Sequence, residues 1–390
     1  MSIKDKIKNI TPEMIEWRHT IHERPEIAYQ EKNTSLFISN KLKEFDIEVH
    51  QGIGKTGIVG VIHGKENEGP QKSIGIRADI DALPMTEKTN LPYASKNEGS
   101  MHACGHDGHT TMLLGAAKYL SETRNFHGTV YCIFQPAEEG GNAGAKAMIN
   151  DGLFKKFEID TVWGIHNWPG IPVGHAVIHE GFAMAGGDYI VITVEGKGGH
   201  AAQPQFSNDP MVAAGLTITA LQSLISRQLD PFKSAVLSLT KIEGGSAFNV
   251  IPDTVTIGGT LRSTNEHLRS IMLKKIKKVV LSACEISNCK ATVEIRPGYP
   301  PTINDKKSAK LASKIFENTF GNSSINTKES PTMGSEDFSY LLEEKPGAYI
   351  WLGAGEKSEK LHSAHYDFND ELLPIGAEYW ANLAETILVK

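Results

Sequence analysis

The stretch GTVYCIFQPAEEGG, residues 128–141, runs from an unbroken apolar segment directly into two adjacent carboxylates, Glu138 and Glu139. Its apolar part is rich in β-branched and aromatic residues, which predicts a strand buried on both faces. Strands of that kind occur in parallel sheets that helices cover on both sides. The stretch therefore predicts an α/β fold in which polar side chains gather where a buried strand ends.

Segments of the same kind recur along the chain and alternate with amphipathic stretches such as TTMLLGAAKYLSE, residues 110–122. The other predicted strands are IVGVIHG at 58–64, SIGIRAD at 73–79, TVWGIHN at 161–167 and AYIWLGA at 348–354. Because buried strands alternate with helices, we predict a mostly parallel sheet with helices on both faces.

Residues 186–297 follow a different pattern, in the order strand, helix, strand, strand, helix, strand. This βαββαβ order is that of ferredoxin-like modules. We therefore predict a small domain inserted into a larger one, with the larger domain formed by residues 1–185 and 298–390.

Composition excludes several classes of protein. The 390 residues carry a formal charge of −6 and no run of Lys or Arg, which disfavours nucleic acid and anionic membranes as partners. No apolar run is long enough to span a membrane, and the N-terminus lacks the apolar segment of a secretion signal. The four cysteines, at positions 104, 132, 284 and 289, are too few for a disulfide scaffold. These features predict a cytoplasmic enzyme or binding protein with reduced thiols.

Three of the predicted strands end in polar side chains. Asp79 and Asp81 follow one strand, the paired acids Glu138 and Glu139 follow the second, and His166 ends the third. Ligands of an open α/β sheet bind at the carboxyl ends of its strands. We therefore expect these side chains to line one site, with Asp79 and Asp81 either bonding to the site residues or capping turns.

The segment MHACGHDGHT, residues 101–110, precedes a predicted helix and lies next to that edge of the sheet. Cys104 and His106 can face one ion only if the segment between them is not helical, and Gly105 makes such a turn easy. Cys104 can also be a buried apolar residue or a nucleophile, but a nucleophile needs one histidine base rather than several histidines beside paired acids. His102 and His109 fit either a structural role or hydrogen bonds to the ligands.

Adjacent carboxylates suit a hydrolytic metal site because their side chains point in different directions. One can bind the ion while the other acts as general acid and base. The alternative for such a pair is a solvated helix face, which the preceding apolar strand and the following glycines disfavour.

Seven motifs, in this order and spacing, resemble the amidohydrolase branch of the aminoacylase and di-metal carboxypeptidase family, and within it the bacterial hippurate hydrolases. The likeness runs from about Trp17 to Ala384. Its motifs are RADIDALP, MHACGHDGHT, QPAEEGG, GIHNWP, GKGGHAAQP, FNVIPD and LHSAHYDFND.

The resemblance implies roles for particular residues. Glu138 matches the general base, while His200 and Asn249 match substrate-facing residues of a lid and dimerisation domain. The wider family has a histidine ligand where Asp79 stands and a bridging aspartate near His106, so the group that bridges the two ions here stays open. The implied metal ligands are Cys104, His106, Glu139, His166 and His362.

Some of these residues are unremarkable without the resemblance. His362 in an isolated LHS element is ordinarily a surface residue, and His200 in a GGH turn can belong to a simple hairpin. Asn249 can be a turn residue. Arg262 can be a solvated strand residue or a clamp for a substrate carboxylate.

Together these features predict a metal-dependent amidase that splits an N-acyl amino acid into a carboxylic acid and a free amino acid. It would use two divalent ions per subunit, of manganese, zinc, cobalt or nickel. We expect a homodimer formed through the lid domain, with a tetramer as the alternative, and no nucleic-acid or membrane partner. A dipeptidase or aminopeptidase would need an acidic side chain for the substrate amino group, and a non-catalytic binding protein would not need the second acid of the pair.

Overall fold

The computed structural model of the protein describes residues 1–65 and 71–389. Within these residues the helices are α1 Ile3–His22, α2 Lys32–Glu44, α3 His106–Thr123, α4 Gly144–Asn150, α5 Leu153–Lys156, α6 Pro210–Gln228, α7 Glu266–Glu285, α8 Lys306–Phe320, α9 Ser339–Glu344 and α10 Leu372–Ile387. None of them is both long and apolar enough to cross a membrane.

The strands within the same described residues are β1 Glu48–Ile53, β2 Gly57–His63, β3 Ser73–Asp79, β4 Thr129–Gln135, β5 Thr161–Pro169, β6 Ala176–Val177, β7 Phe182–Met184, β8 Gly186–Glu195, β9 Gly199–His200, β10 Ala235–Gly244, β11 Val250–Ile251, β12 Thr254–Ser263, β13 Lys290–Pro297, β14 Thr302–Ile303 and β15 Gly347–Gly355. Backbone contacts divide the chain into two compact units. Unit 1 comprises residues 1–183, 303–330 and 337–390, and unit 2 comprises residues 184–302 and 331–336. The short segment 331–336 thus joins unit 2, although the predicted boundaries assign it to the larger domain.

Unit 1 is built on a seven-stranded sheet in the order β1-β2-β4-β3-β5-β15-β6. Its four central strands are parallel, as predicted for buried strands that alternate with helices. The antiparallel pairs lie outside that centre: β2 runs antiparallel to β1 and β4, and β6 runs antiparallel to β15. The α/β fold with a mostly parallel central sheet is therefore confirmed.

Helices cover both faces of this sheet. Along β3, Ile74 and Ile76 belong to the core formed with α1, α3 and α10. Successive strand residues point to opposite faces, so Arg77 lies on the other side, where its guanidinium is 5.9 Å from the ring of Phe338, just before α9. Every residue of β3 is buried.

Unit 2 has a four-stranded antiparallel sheet in the order β10-β12-β8-β13, with α6 and α7 packed on it. Numbered along the chain, its strands are arranged 4-1-3-2 across the sheet, which is the ferredoxin-like arrangement of the predicted βαββαβ unit. A separate two-stranded ribbon, β9 with β11, pairs His200 with Val250.

Candidate metal centre

Side chains from four places in unit 1 meet at the carboxyl ends of the central strands, and His362 joins them from the loop after β15. Asp79 ends β3, the paired acids Glu138 and Glu139 follow β4, and His166 lies near the end of β5. The fourth place is the loop before α3, where Gly105 has φ 90° and α3 begins at the next residue. The non-helical turn expected between Cys104 and His106 is therefore present, and a side chain at Gly105 would be strained.

Three potential ligand atoms form a first group. Those of Cys104, His106 and His166 all lie within 4.8 Å of one another, and all three residues are buried. Cys104 Sγ is 3.3 Å from His166 Nε2.

A second group shares Cys104 with the first. The ligand atoms of Cys104, Glu139 and His362 also lie within 4.8 Å of one another, and those of His106, Glu138 and Glu139 form a third such group. His362 Nε2 is 3.2 Å from Glu139 Oε1, although about half of the His362 side chain is exposed. The five predicted ligands are thus brought together, and Cys104 stands where the first two groups overlap.

The two buried histidines each present one ring nitrogen to this cluster. His106 Nδ1 lies 2.9 Å from the carbonyl of Asp81, and His166 Nδ1 lies 2.7 Å from the carbonyl of Asn167. Burial disfavours a charged His106, but Asp79 and Asp81 raise its pKa to about 10, so a cation bound at Nε2 would replace a proton there. A carbonyl only accepts hydrogen bonds, so each Nδ1 carries a proton, which leaves each Nε2 as the nitrogen that can bind an ion. Such a fixed tautomer is the usual state of a metal-binding histidine. His106 Nε2 is buried and has no hydrogen-bond partner among the described residues, as expected of an atom that coordinates a cation.

His109 has a different role because both of its ring nitrogens are occupied. Its Nε2 lies 2.7 Å from Oδ1 of Asn167 and 3.1 Å from the backbone nitrogen of the same residue, and its Nδ1 lies 2.6 Å from Asp79. It therefore positions neighbours of the cluster and is not available as a ligand in this arrangement. His102 is fully buried outside these groups, and burial lowers its pKa to about 3, so it is neutral.

The surroundings of Cys104 suit a metal ligand better than a nucleophile. Burial, together with the carboxylates of Glu139 and Glu138, raises the pKa of the Cys104 thiol well above its ordinary value. A cysteine nucleophile needs the opposite shift, so the surroundings do not suit that alternative. Burial also disfavours ionisation of Glu139, but the hydrogen bond from His362 and the charge of His106 hold its pKa below the ordinary value. A thiol, two imidazoles and carboxylates fit divalent metal ions as ligands.

Asp81 holds the paired acids by their backbone. Its Oδ1 accepts the N–H of Glu138 and its Oδ2 accepts the N–H of Glu139, both at 3.0 Å. Both acids are largely buried, and a carboxylate oxygen of each lies within 4.8 Å of the other and of His106. One carboxylate can therefore bind an ion while its neighbour acts on a proton.

Asp79 is anchored from behind by a buried arginine. Arg77 donates to Asp79 at 2.7 Å, to Asp337 at 3.0 Å and to Gln135 at 2.8 Å. Arg77 and both aspartates are almost completely buried. The network explains why Asp79 can stay ionised although it has no contact with water: burial raises its pKa, but Arg77 and His106 lower it well below the ordinary value.

The remaining predicted residues lie in unit 2. His200 is exposed on the β9–β11 ribbon, and the carbonyl of Asn249 accepts the N–H of Ala201 at 3.0 Å. His200 Nδ1 accepts the N–H of Ala202 at 3.0 Å, so the neutral ring carries its proton on Nε2 and can donate it. Arg262 is half-buried on β12 and donates to Ser335 at 2.5 Å.

Reasoning from sequence missed three participants in unit 1. Arg77 was detectable, because a charge inside an otherwise apolar strand needs a buried partner. Asp337 and Glu31 have no such signal, since they contact the site region from segments far away in sequence.

Comparison with known proteins agrees with this geometry. A model described as peptidase family M20/M25/M40 matches residues 75–386. The chain belongs to this M20 family. One M20 relative, a hippurate hydrolase of Campylobacter jejuni, is 44% identical over 98% of this chain and 99% of its own length. An N-acetylcysteine deacetylase of Bacillus subtilis is 38% identical over 96% of this chain and 97% of its own.

A solved M20 structure has the same architecture. YXEP of Bacillus subtilis, a dinuclear metal-binding peptidase, superposes with a TM-score of 0.84 at 35% identity, over 98% of this chain and 99% of YXEP. The M20 chain described here matches that protein from end to end, so the likeness includes both units.

Proposed function

We propose that the protein hydrolyses the amide bond of N-acyl amino acids, releasing a carboxylic acid and a free amino acid. The observation that carries this proposal is the pair Glu138 and Glu139, held by Asp81 beside a thiol and two imidazoles. The activities named for its full-length relatives, on hippurate and on N-acetylcysteine, are both hydrolyses of an N-acyl amino acid.

In this proposal five side chains hold two divalent ions: Cys104, His106, Glu139, His166 and His362. Bound ions would supply Lewis acidity at the scissile carbonyl and lower the pKa of the attacking water. Cys104, His106 and Glu139 each belong to two of the three ligand groups. The Cys104 thiolate favours zinc, whereas the imidazole and carboxylate ligands also suit manganese, cobalt and nickel. A thiol ligand also fits the reducing cytoplasm that the sequence predicts.

Glu138 is the general base in this scheme. It is largely buried and its potential ligand atom lies within 4.8 Å of those of Glu139 and His106. It takes a proton from the attacking water and delivers it to the nitrogen of the leaving amino acid.

His200 is proposed to stabilise the negative charge that develops on the carbonyl oxygen. Its Nε2–H is free to donate, because its Nδ1 is occupied by Ala202. Asn249 and Arg262 are proposed to bind the substrate, with the Arg262 guanidinium as the proposed partner of its carboxylate.

We further propose that His200 acts in the active site of a partner subunit, within a homodimer formed through unit 2, with a tetramer as the alternative. Unit 2 has β10 and β13 as edge strands, and its helix α6 exposes Met211, Val212 and Leu216. Exposed apolar side chains and unpaired strand edges favour association.

Subunit exchange tests this arrangement. His200→Ala and Glu138→Gln are each expected to be inactive as homodimers. In a mixed dimer, action across the interface leaves one site with neither defect, so activity should return. Absence of recovery, despite exchange demonstrated with a tagged subunit, would show that His200 acts within its own chain or not at all.

The function itself is tested with two matched substitutions in the acidic pair. Glu138→Gln should keep its metal and lose a factor on the order of hundreds or more in kcat, because the base is removed. Glu139→Gln should lose metal affinity as well. The substrates are N-benzoyl-, N-acetyl- and indoleacetyl-amino acids, with free dipeptides as the comparison. Preference for dipeptides would identify a peptidase, and undiminished rates in Glu138→Gln would refute the assigned base.

A further inference from the structure

The segment that carries the paired acids has an unusual backbone. Among residues 137–143, Ala137, Gly140, Gly141 and Ala143 all have φ between 53° and 81°. Glycine adopts this left-handed region freely, whereas a Cβ atom makes it unfavourable for alanine. The two alanines therefore keep this conformation only because their surroundings hold them.

Three buried carboxylates accept N–H groups of this segment and of the first turn of α4 that follows it. Glu31 accepts the N–H of Ala137 at 3.0 Å, and Asp337 accepts the N–H of Ala145 at 2.9 Å. Asp81 accepts the two N–H groups of the paired acids. We call Glu31, Asp81 and Asp337 the carboxylate cradle. Hydrogen bonds to a charged acceptor are among the stronger ones, so the cradle can hold a strained turn.

Glu31 occupies a distinct place in the cradle. It precedes α2, is fully buried, and is separated from Ala137 by more than a hundred residues of sequence. Its second oxygen accepts the Thr56 hydroxyl at 2.6 Å, in the turn between β1 and β2. Asp81 binds the two acids directly, whereas Glu31 holds the left-handed residue at which the chain leaves β4 and turns into Glu138.

We propose that Glu31 is a positioning residue for Glu138. By fixing the N–H of Ala137, its carboxylate sets the direction in which the chain enters the acidic pair. The side chain of Glu138 then points where a proton must be taken. This inference rests on the proposed role of Glu138 as general base, and it assigns no contact between Glu31 and the substrate.

The test uses variants of the holoenzyme that distinguish loss of the hydrogen bond to Ala137 from loss of side-chain packing at position 31. Glu31→Ala removes the acceptor, and Glu31→Gln keeps an oxygen able to accept the Ala137 N–H. Glu31→Asp keeps the charge but withdraws it by one methylene, and replaces Glu31→Ala if that variant does not fold. Thr56→Val is the matched control, because it breaks the other hydrogen bond of the same carboxylate and leaves Ala137 untouched.

Two measurements are made at full metal occupancy. Glu31→Ala and Glu31→Asp should lower kcat by about tenfold to a hundredfold with little change in KM, as expected when a catalytic group is displaced by about 1 Å. Glu31→Gln should restore most of kcat, and Thr56→Val should match wild type. Amide hydrogen exchange of peptides spanning 136–145 should accelerate in the Ala and Asp variants alone.

The outcomes separate this inference from the proposed function. If wild type does not hydrolyse any N-acyl amino acid, the proposed function fails, and hydrogen exchange still decides whether Glu31 holds the segment. If wild type is active but Glu31→Ala keeps its kcat and its exchange protection, the positioning role is wrong. An equal loss of kcat in Thr56→Val would also overturn it, because that result indicates general destabilisation.

Discussion

Gly105→Ala is the substitution that most directly tests how the chain presents its ligands. Gly105 separates Cys104 from His106 and has φ 90°. A Cβ atom there would lie 2.8 Å from the hydroxyl of Tyr366 and closer still to Oδ1 of Asn167. Real Cβ atoms essentially never approach that closely. The backbone between the two ligands must therefore move.

The loss of unfolding free energy expected for Gly105→Ala has two parts. A left-handed φ costs a non-glycine residue about 1–2 kcal/mol. Inserting a methyl group into a closely packed site adds about 1–3 kcal/mol. Gly99→Ala is the matched control, because Gly99 also has a positive φ, of 77°, but has nothing within 4 Å of the added Cβ. It should show the first cost alone, so the difference between the two variants measures the steric part.

The assay combines stability with metal binding. Gly105→Ala should lose about 2–5 kcal/mol of unfolding free energy, against about 1–2 kcal/mol for Gly99→Ala. Its affinity for zinc, measured in a metal-ion buffer, should fall at least tenfold. If loss of the metal relieves only about 1.4 kcal/mol of the strain in this loop, the affinity already falls by that factor. If Gly105→Ala retained wild-type affinity and kcat/KM, the assignment of its two neighbours as ligands would be wrong.

Three further predictions follow from buried groups. Cys104→Ser should lower both the metal content and the rate of hydrolysis. Cys132→Ser changes another buried cysteine, outside the site, and should leave both unchanged. Equal metal content in the two variants would contradict the thiolate ligand. Arg77→Met should lower the unfolding free energy in urea by about 3–5 kcal/mol, because it leaves two buried carboxylates without their cation, and a loss under about 1 kcal/mol would refute that reading. Burial opposes protonation of His22, but the hydrogen bond and charge of Asp107 raise its pKa from 6.5 to about 9. Protonated His22 stabilises the fold fully below pH 6.5, and this stabilisation is lost as the pH rises through 9. The unfolding free energy of wild type should therefore fall by on the order of 3 kcal/mol over that range, whereas that of His22→Gln should not.

The strands could be predicted because a strand that is buried on both faces consists of an unbroken run of apolar residues. The segment 73–79 matches β3 residue for residue, and all of β3 is buried. An apolar run does not show whether a strand lies parallel or antiparallel to its neighbours. The strand β2 is as apolar as β3, yet it pairs antiparallel with both of its neighbours. The edge strand β1 is largely polar and exposed, so it carried no signal at all.

Four of the five proposed ligands could be predicted because they follow strand ends or lie in one short loop, whereas His362, in the loop after β15, was identified only through the family resemblance. The supports of the ligand cluster could not be found in this way. The hydrogen bond from Arg77 to Asp337 joins residues 260 positions apart, and that from Ala137 to Glu31 joins residues 106 positions apart. Pairs of this kind depend on which strands become neighbours, and the strand order is a property of the whole sheet.

The cluster also predicts how the apo protein should behave. Glu138 and Glu139 are carboxylates held side by side by Asp81, and each is at most 9% exposed. Anionic groups in so little water repel one another unless a cation lies among them. Chelation should therefore lower the unfolding temperature, and restored metal at a hundred times its Kd should return about 2.7 kcal/mol.

The variant Glu138→Gln distinguishes this charge repulsion from the effect of losing a metal ligand. Removing one negative charge should make the apo form of that variant more stable than apo wild type, while their holo forms differ little because Glu138 is not assigned as a ligand. Calorimetry of the four species measures the difference. If apo Glu138→Gln unfolds at or below the temperature of apo wild type, charge repulsion is not what makes the fold depend on its metal.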